Sequence, residues 1–132
     1  MTEVDAVLGF SADERGRGVA YARLAGERGD HLLRVGFRLR RGYVAREVGY
    51  AALTAVAQTL HRRAVPRVRF IVEDELLVRD VHEHSELPPE VVLAYVKLKC
   101  ALNRFDGFVL DSAEEGDLTQ RARAEIALNS VA

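Results

Sequence analysis

The chain has 132 residues, 48% of them hydrophobic and 30% charged, with a formal net charge of −1. That is the length of one ordinary domain, read here as residues 1–132, with enough apolar side chains for a full core. The near-balance of charge offers no global attraction to nucleic acid or to an anionic membrane, although it leaves room for a local basic patch. No apolar run approaches the roughly 18 residues that span a bilayer, so no membrane partner is expected. Met1 to Asp5 lacks the basic start and apolar stretch of a signal peptide. Cys100 is the only cysteine, so a reducing, cytoplasmic setting is expected. Its apolar helical surroundings suggest a buried structural thiol.

In chain order, Val4 to Phe10 reads as a strand, and Asp13 to Gly18 as a glycine-punctuated turn. Val19 to Leu24 is a second strand, followed by a turn over Gly26 to Asp30. From Leu33 to Arg40 the alternation is clean. Leu33, Val35, Phe37 and Leu39 share one face, and Arg34, Gly36, Arg38 and Arg40 the other, as in a half-buried antiparallel strand. The period then becomes helical, with Val44, Val48, Ala51, Ala52, Ala55 and Thr59 on one face of a helix over about Val44 to Arg63. Pro66 ends that region. Arg67 to Glu73 is a strand, and Asp74 to Val81 a short helix. Pro88 and Pro89 suit the first turn of a helix carrying Val91, Tyr95, Leu98, Leu102 and Phe105. Gly107 to Leu110 is a short strand, and Asp117 can cap a final helix that includes Leu118, Ala122 and Ile126. Three strands joined by tight turns form an antiparallel meander, and the two later strands follow helices and can join in parallel. The expected architecture is α/β, a mixed five-stranded sheet flanked by helices.

Four segments carry a family resemblance. Phe10-Ser11-Ala12 precedes a glycine-punctuated turn. Val48-Gly49-Tyr50-Ala51-Ala52-Leu53 opens the first helix. Glu73-Asp74-Glu75-Leu76-Leu77-Val78 follows the fourth strand. Gln120-Arg121-Ala122-Arg123-Ala124 lies in the last helix. In order and spacing, the chain resembles a ribonuclease H-like domain of the type 1 kind. The resemblance implies that fold and a site of four carboxylates holding two divalent ions, which activate water and stabilise charge on the scissile phosphate. At the implied places this chain has Ser11, Gly49, Glu73 and Arg121, of which only Glu73 is acidic. The expectation is a degenerate site, a pseudoenzyme with no catalytic residues, no metal and no cofactor. A Glu73–Arg121 ion pair is expected to fill the space.

Neighbouring acids bear on that reading. Asp13 lies two residues beyond Ser11, and a two-residue shift keeps a strand face; Asp74 adjoins Glu73. Glu47 is read as a solvated charge at a helix start and Asp117 as a helix cap. Arg38, Arg40 and Arg41 form the densest basic cluster, a candidate phosphate-binding edge or a solvated face. Arg62, Arg63, Arg67 and Arg69 form a looser one, read as solvated. The run from Asp111 to Asp117 reads as an acidic loop that repels phosphate. His82 and His84 have no companion ligands, so a loop is favoured over a zinc site. His31 and His61 are expected to be isolated and exposed.

Three functions follow as expectations. The first is a nucleic-acid-binding or interaction module that recognises RNA or an RNA–DNA hybrid through Arg38, Arg40 and Arg41. The second is an active ribonuclease using Mg2+ or Mn2+ with the displaced acids Glu73, Asp74 and Asp13. The third is a homodimeric protein-interaction domain that touches no nucleic acid.

Overall fold

The computed structural model describes residues 3–27, 29–83 and 86–131. Three strands, β1 (Glu3–Ala12), β2 (Arg17–Gly26) and β3 (Gly29–Arg38), form the meander. Helix α1 (Ala45–Arg62) leads to β4 (Arg67–Val72). The short helix α2 (Glu75–Glu83) and α3 (Pro89–Leu102) lead to β5 (Gly107–Ser112), and α4 (Asp117–Val131) closes the order. The sheet runs β3-β2-β1-β4-β5. β2 pairs antiparallel with β1 and β3, whereas β4 is parallel to β1 and to β5. The element order and the mixed sheet match the expectation from patterning. β1, β2 and β5 run one or two residues beyond their predicted ends, because ladder pairing continues past the apolar alternation; β3 starts four residues early and stops two short, at Arg38, and β4 stops one short, at Val72.

Strand alternation divides the core into two layers. Ala6, Leu8, Ala20, Ala22, Val68, Phe70 and Val72 face one side, where they pack with Leu53, Val56 and Leu60 of α1 and Leu98 and Leu102 of α3. On the other face, α4 lies over β1 and β2 and buries Leu118, Ala122 and Val19. Gly9 makes this approach possible, since a Cβ there would stand 2.3 Å from the Thr119 nitrogen. Tyr50 of α1 is fully buried, and its hydroxyl has no hydrogen-bond partner among the described residues. Burial pushes that hydroxyl up to about 12.

Among the residues away from the site, two expectations fail. Cys100 is exposed, because α3 turns Val91, Leu98, Ala101 and Leu102 inward and leaves Cys100 on the outer side. His61 is half-buried against the edge of Phe105, with ring centres 6.2 Å apart. His31 is exposed, as expected.

The α4 face is held at its edge by Glu125, which accepts from Arg34 and from the Tyr21 hydroxyl. The Arg34 guanidinium above all, and then the Tyr21 bond, hold its carboxyl down at about 2 despite partial burial. A carboxyl depressed in the folded state stabilises fully above its unfolded value, near 4.5, and loses that contribution as pH falls toward 2. Chemical denaturation at pH 6 and pH 3 is therefore expected to show a smaller acid-induced loss in Glu125→Gln than in the wild type.

Candidate functional site at the carboxyl ends of the central strands

β1 and β4 are parallel neighbours, so their carboxyl ends lie together. Glu73 continues β4 there, its amide donating to the Leu8 carbonyl at 2.9 Å. The first turns of α2 and α4 meet this end.

The residue of β1 that faces Gly49 is Phe10. A Cβ on Gly49 would lie 3.2 Å from the Phe10 ring and 3.0 Å from Leu77. Phe10 packs on the α1-side core with Leu8. Ser11 is one residue on, and period-two alternation turns it to the opposite face, the one on which Gly9 meets Thr119. The expected place of Ser11 beside Gly49 is thus corrected to Phe10.

Glu73 also points to the α4 face. Its Oε1 accepts from the Thr119 amide at 2.9 Å, the Thr119 hydroxyl at 2.7 Å and the Gly116 amide at 3.1 Å. These are the unsatisfied donors of the first turn of α4, so Glu73 caps that helix from a distant strand. Gly116 permits the approach, because a Cβ there would stand 2.8 Å from Glu73 Oε2. The expected Glu73–Arg121 pair does not form. Arg121 is exposed, its guanidinium 5.2 Å from the Tyr21 ring centre. It lies two residues past Thr119, about 200° round the helix, and so looks away from Glu73.

The other acids are likewise engaged. Asp74 caps α2, its Oδ1 accepting from the Leu77 amide at 3.1 Å. It lines a shallow depression with Phe10, Gly49, Leu77 and Asp80. Asp80 is paired with Arg46. Asp13 accepts from the amides of Arg15 and Arg17 and from Arg17 Nε, which hold its carboxyl below the usual range. It is a turn anchor. Glu47 is buried, not solvated. Arg40 grips it with two bonds of 2.8 and 2.7 Å, and the Val44 amide donates to it at 2.8 Å, closing the start of α1. Burial would raise this carboxyl, but Arg40 and the amide together hold it low. Asp117 binds Arg23 at 2.6 Å, so the helix-capping role expected of it falls to Glu73.

A second cleft of about 480 Å³ is lined by Phe10, Glu73, Asp74, Glu75, Glu114 and Thr119 among others. The segment expected to be an acidic loop is in part strand, since β5 reaches Ser112. Three of its acids are neutralised: Asp111 by Arg69, Glu115 by Arg123 and Asp117 by Arg23. Arg69 is therefore paired rather than simply solvated.

Basic side chains gather at the same end of the sheet. Arg17 and Arg38 are register partners across β2 and β3. The Leu39 amide donates to the Gly16 carbonyl, and the Tyr43 hydroxyl to that of Asp13, tying the β1–β2 turn to the 38–43 segment. Among the described residues Arg15, Arg38 and Arg41 have no ion-pair partner. Arg40 differs from its two neighbours, being committed to Glu47. His82 Nε2 lies 3.0 Å from the Leu110 carbonyl oxygen, and His84 lies outside the described residues.

No protein-family model and no curated protein matches the chain. Solved structures do. Ribonuclease H1 from Halobacterium salinarum superposes with a TM-score of 0.76 at 16% identity, covering 97% of this chain and 98% of that one. The N-terminal RNase H domain of a Mycobacterium tuberculosis protein, solved as a maltose-binding-protein fusion, gives 0.74 at 12% identity over all of both chains. LC11-RNase H1, solved in complex with an RNA/DNA hybrid, gives 0.67 at 12% identity over 98% of this chain and 99% of that one. The chain therefore has the ribonuclease H-like α/β fold.

Proposed function

We propose that this domain is a nucleic-acid-binding module of ribonuclease H-like fold that does not hydrolyse by the two-metal route. The observation that carries the reading is the capture of Glu73 by the first turn of α4. All three bonds go to Oε1, which leaves Glu73 only Oε2 to offer a divalent ion, and a single carboxylate oxygen does not hold two ions. Phe10 and Leu77 fill the space beside Gly49 with hydrocarbon, and hydrocarbon supplies no ligand. Among the described residues no three His, Cys, Asp or Glu side chains converge to hold a metal ion. The residues present do not fit the two divalent ions of the family's site.

The binding half of the proposal rests on Arg15, Arg38 and Arg41, unpaired cations at the end of the sheet where the family's site lies. Complex formation by LC11-RNase H1 with an RNA/DNA hybrid makes a hybrid the ligand to try first. Arg40 acts differently from the other two: it buttresses the start of α1 through Glu47 and leaves phosphate contact to its neighbours.

The test is fluorescence anisotropy with a labelled hybrid across a salt series. Each phosphate contact contributes about 0.9 to the logarithmic salt slope. Arg38→Ala/Arg41→Ala is expected to weaken binding and to lower the slope by about 2. A variant that binds with the wild-type slope would remove Arg38 and Arg41 from the interface. No binding by the wild type at low salt would leave the protein-interaction reading in its place.

A further inference from the structure

Helix α3 carries an apolar stripe on its outer side. Leu93 is 61% exposed and Val96 46%, and Pro89 and Cys100 are exposed beside them. These four residues form two pairs seven positions apart, Pro89 with Val96 and Leu93 with Cys100. Seven residues are almost two helical turns, so the pairs define one narrow seam of the kind that seats a second helix. The inward residues of α3, Val91, Leu98 and Leu102, lie on the opposite side and are fully buried. The seam is therefore surplus to the core.

The charges beside the seam indicate what covers it. Glu90 and Lys97 are also seven residues apart and both exposed. They flank the stripe on the same edge, within its length, separated by about 10 Å along the axis. Neither forms an ion pair among the described residues; Glu90 contributes only a longer-range field to Arg40. When two copies of a helix pack antiparallel about a two-fold axis, each edge meets the same edge of its partner with its direction reversed. Glu90 of one copy then faces Lys97 of the other, and Lys97 faces Glu90. The edge is complementary to itself in that arrangement, whereas a parallel pairing brings it against the opposite edge, where Val92 and Lys99 lie, and leaves Glu90 and Lys97 without each other.

We infer that α3 is a self-association surface and that its occupant is the α3 of a second copy of this chain, packed antiparallel about a two-fold axis. The seam contains none of Arg15, Arg38 and Arg41, but Glu90, Leu93 and Lys97 share a cleft with Arg38, so self-association is read by sedimentation without nucleic acid.

Sedimentation analysis over a concentration series tests it. The wild type is expected to dimerise. Glu90→Lys and Lys97→Glu, each shown to be folded by circular dichroism, should each weaken self-association by about tenfold or more, because two attractive contacts become two repulsive ones. An equimolar mixture of the two variants should restore dimers as a heterodimer, and Glu90→Lys/Lys97→Glu should again pair with itself. Val96→Glu should be monomeric. A wild type that stays monomeric to its solubility limit would overturn the proposal and leave the seam to a different protein. Single reversals that dimerise like the wild type would overturn it too, by placing the interface elsewhere.

Discussion

Glu73→Ala is expected to destabilise the protein by about 2–4 kcal/mol, the loss of a charged helix cap together with stranded buried donors. Three donors meet Oε1, from Gly116 and Thr119, and Glu73 and Thr119 are both buried. Removing the carboxylate leaves the Thr119 amide and hydroxyl without a partner in a place that water reaches poorly. Glu73→Gln keeps an acceptor oxygen and loses the charge, so its cost should be smaller, about 1–2 kcal/mol. The direction separates two roles for this side chain. A carboxylate crowded with others around a metal-binding site repels its neighbours when no metal is bound, so its removal leaves the metal-free protein unchanged or more stable. A cap gives the reverse. Urea denaturation of the two variants in chelator reads the difference directly.

Gly49→Glu, which places an acid where the resemblance implies one, is expected to cost about 2–3 kcal/mol. The new Cβ would stand 3.0 Å from one Leu77 methyl and 3.2 Å from the other and from Phe10. Overpacking of this kind costs about 1–3 kcal/mol, and a carboxylate pressed against hydrocarbon adds to it. Replacing a glycine inside a helix returns about 1 kcal/mol, too little to reverse the sign. Because Phe10 forms part of the obstruction, Phe10→Ala/Gly49→Glu should lose less than the sum of the single changes, a coupling that a double-mutant cycle resolves. Strict additivity would place Phe10 outside the Gly49 wall.

Most of the fold was legible in the sequence because periodicity carries it. The alternation from Leu33 to Arg40 marked a half-buried antiparallel strand, the change of period at Val44 marked a helix, and Pro66 and Pro89 stand beside element boundaries. The site was legible only as a neighbourhood. A slip of one residue on a strand reverses its face, so a short motif could not separate Ser11 from Phe10, and Phe10 read as one more member of an apolar run. A slip of two residues on a helix turns a side chain to the far side, which is the distance between Arg121 and Thr119. Glu73 and Thr119 are 46 residues apart in the chain, and no local pattern announces a cap supplied across such a gap. The Arg40–Glu47 pair is closer, seven residues apart, yet a buried charge pair at a helix start has the same composition as a solvated one.

The acids at this end of the sheet share a physical role. Glu73, Asp74 and Glu47 each accept from the opening turn of a different helix, α4, α2 and α1. Under the proposed function, charge that could hold metal instead fastens three helices to the sheet, and the basic rim beside them meets the nucleic acid. The most direct test incubates a labelled RNA–DNA hybrid with the wild type and with Asp74→Asn, in magnesium and separately in manganese. The account predicts an intact hybrid in every lane, retarded by the protein at low salt. Cleavage by the wild type that disappears in Asp74→Asn would contradict it.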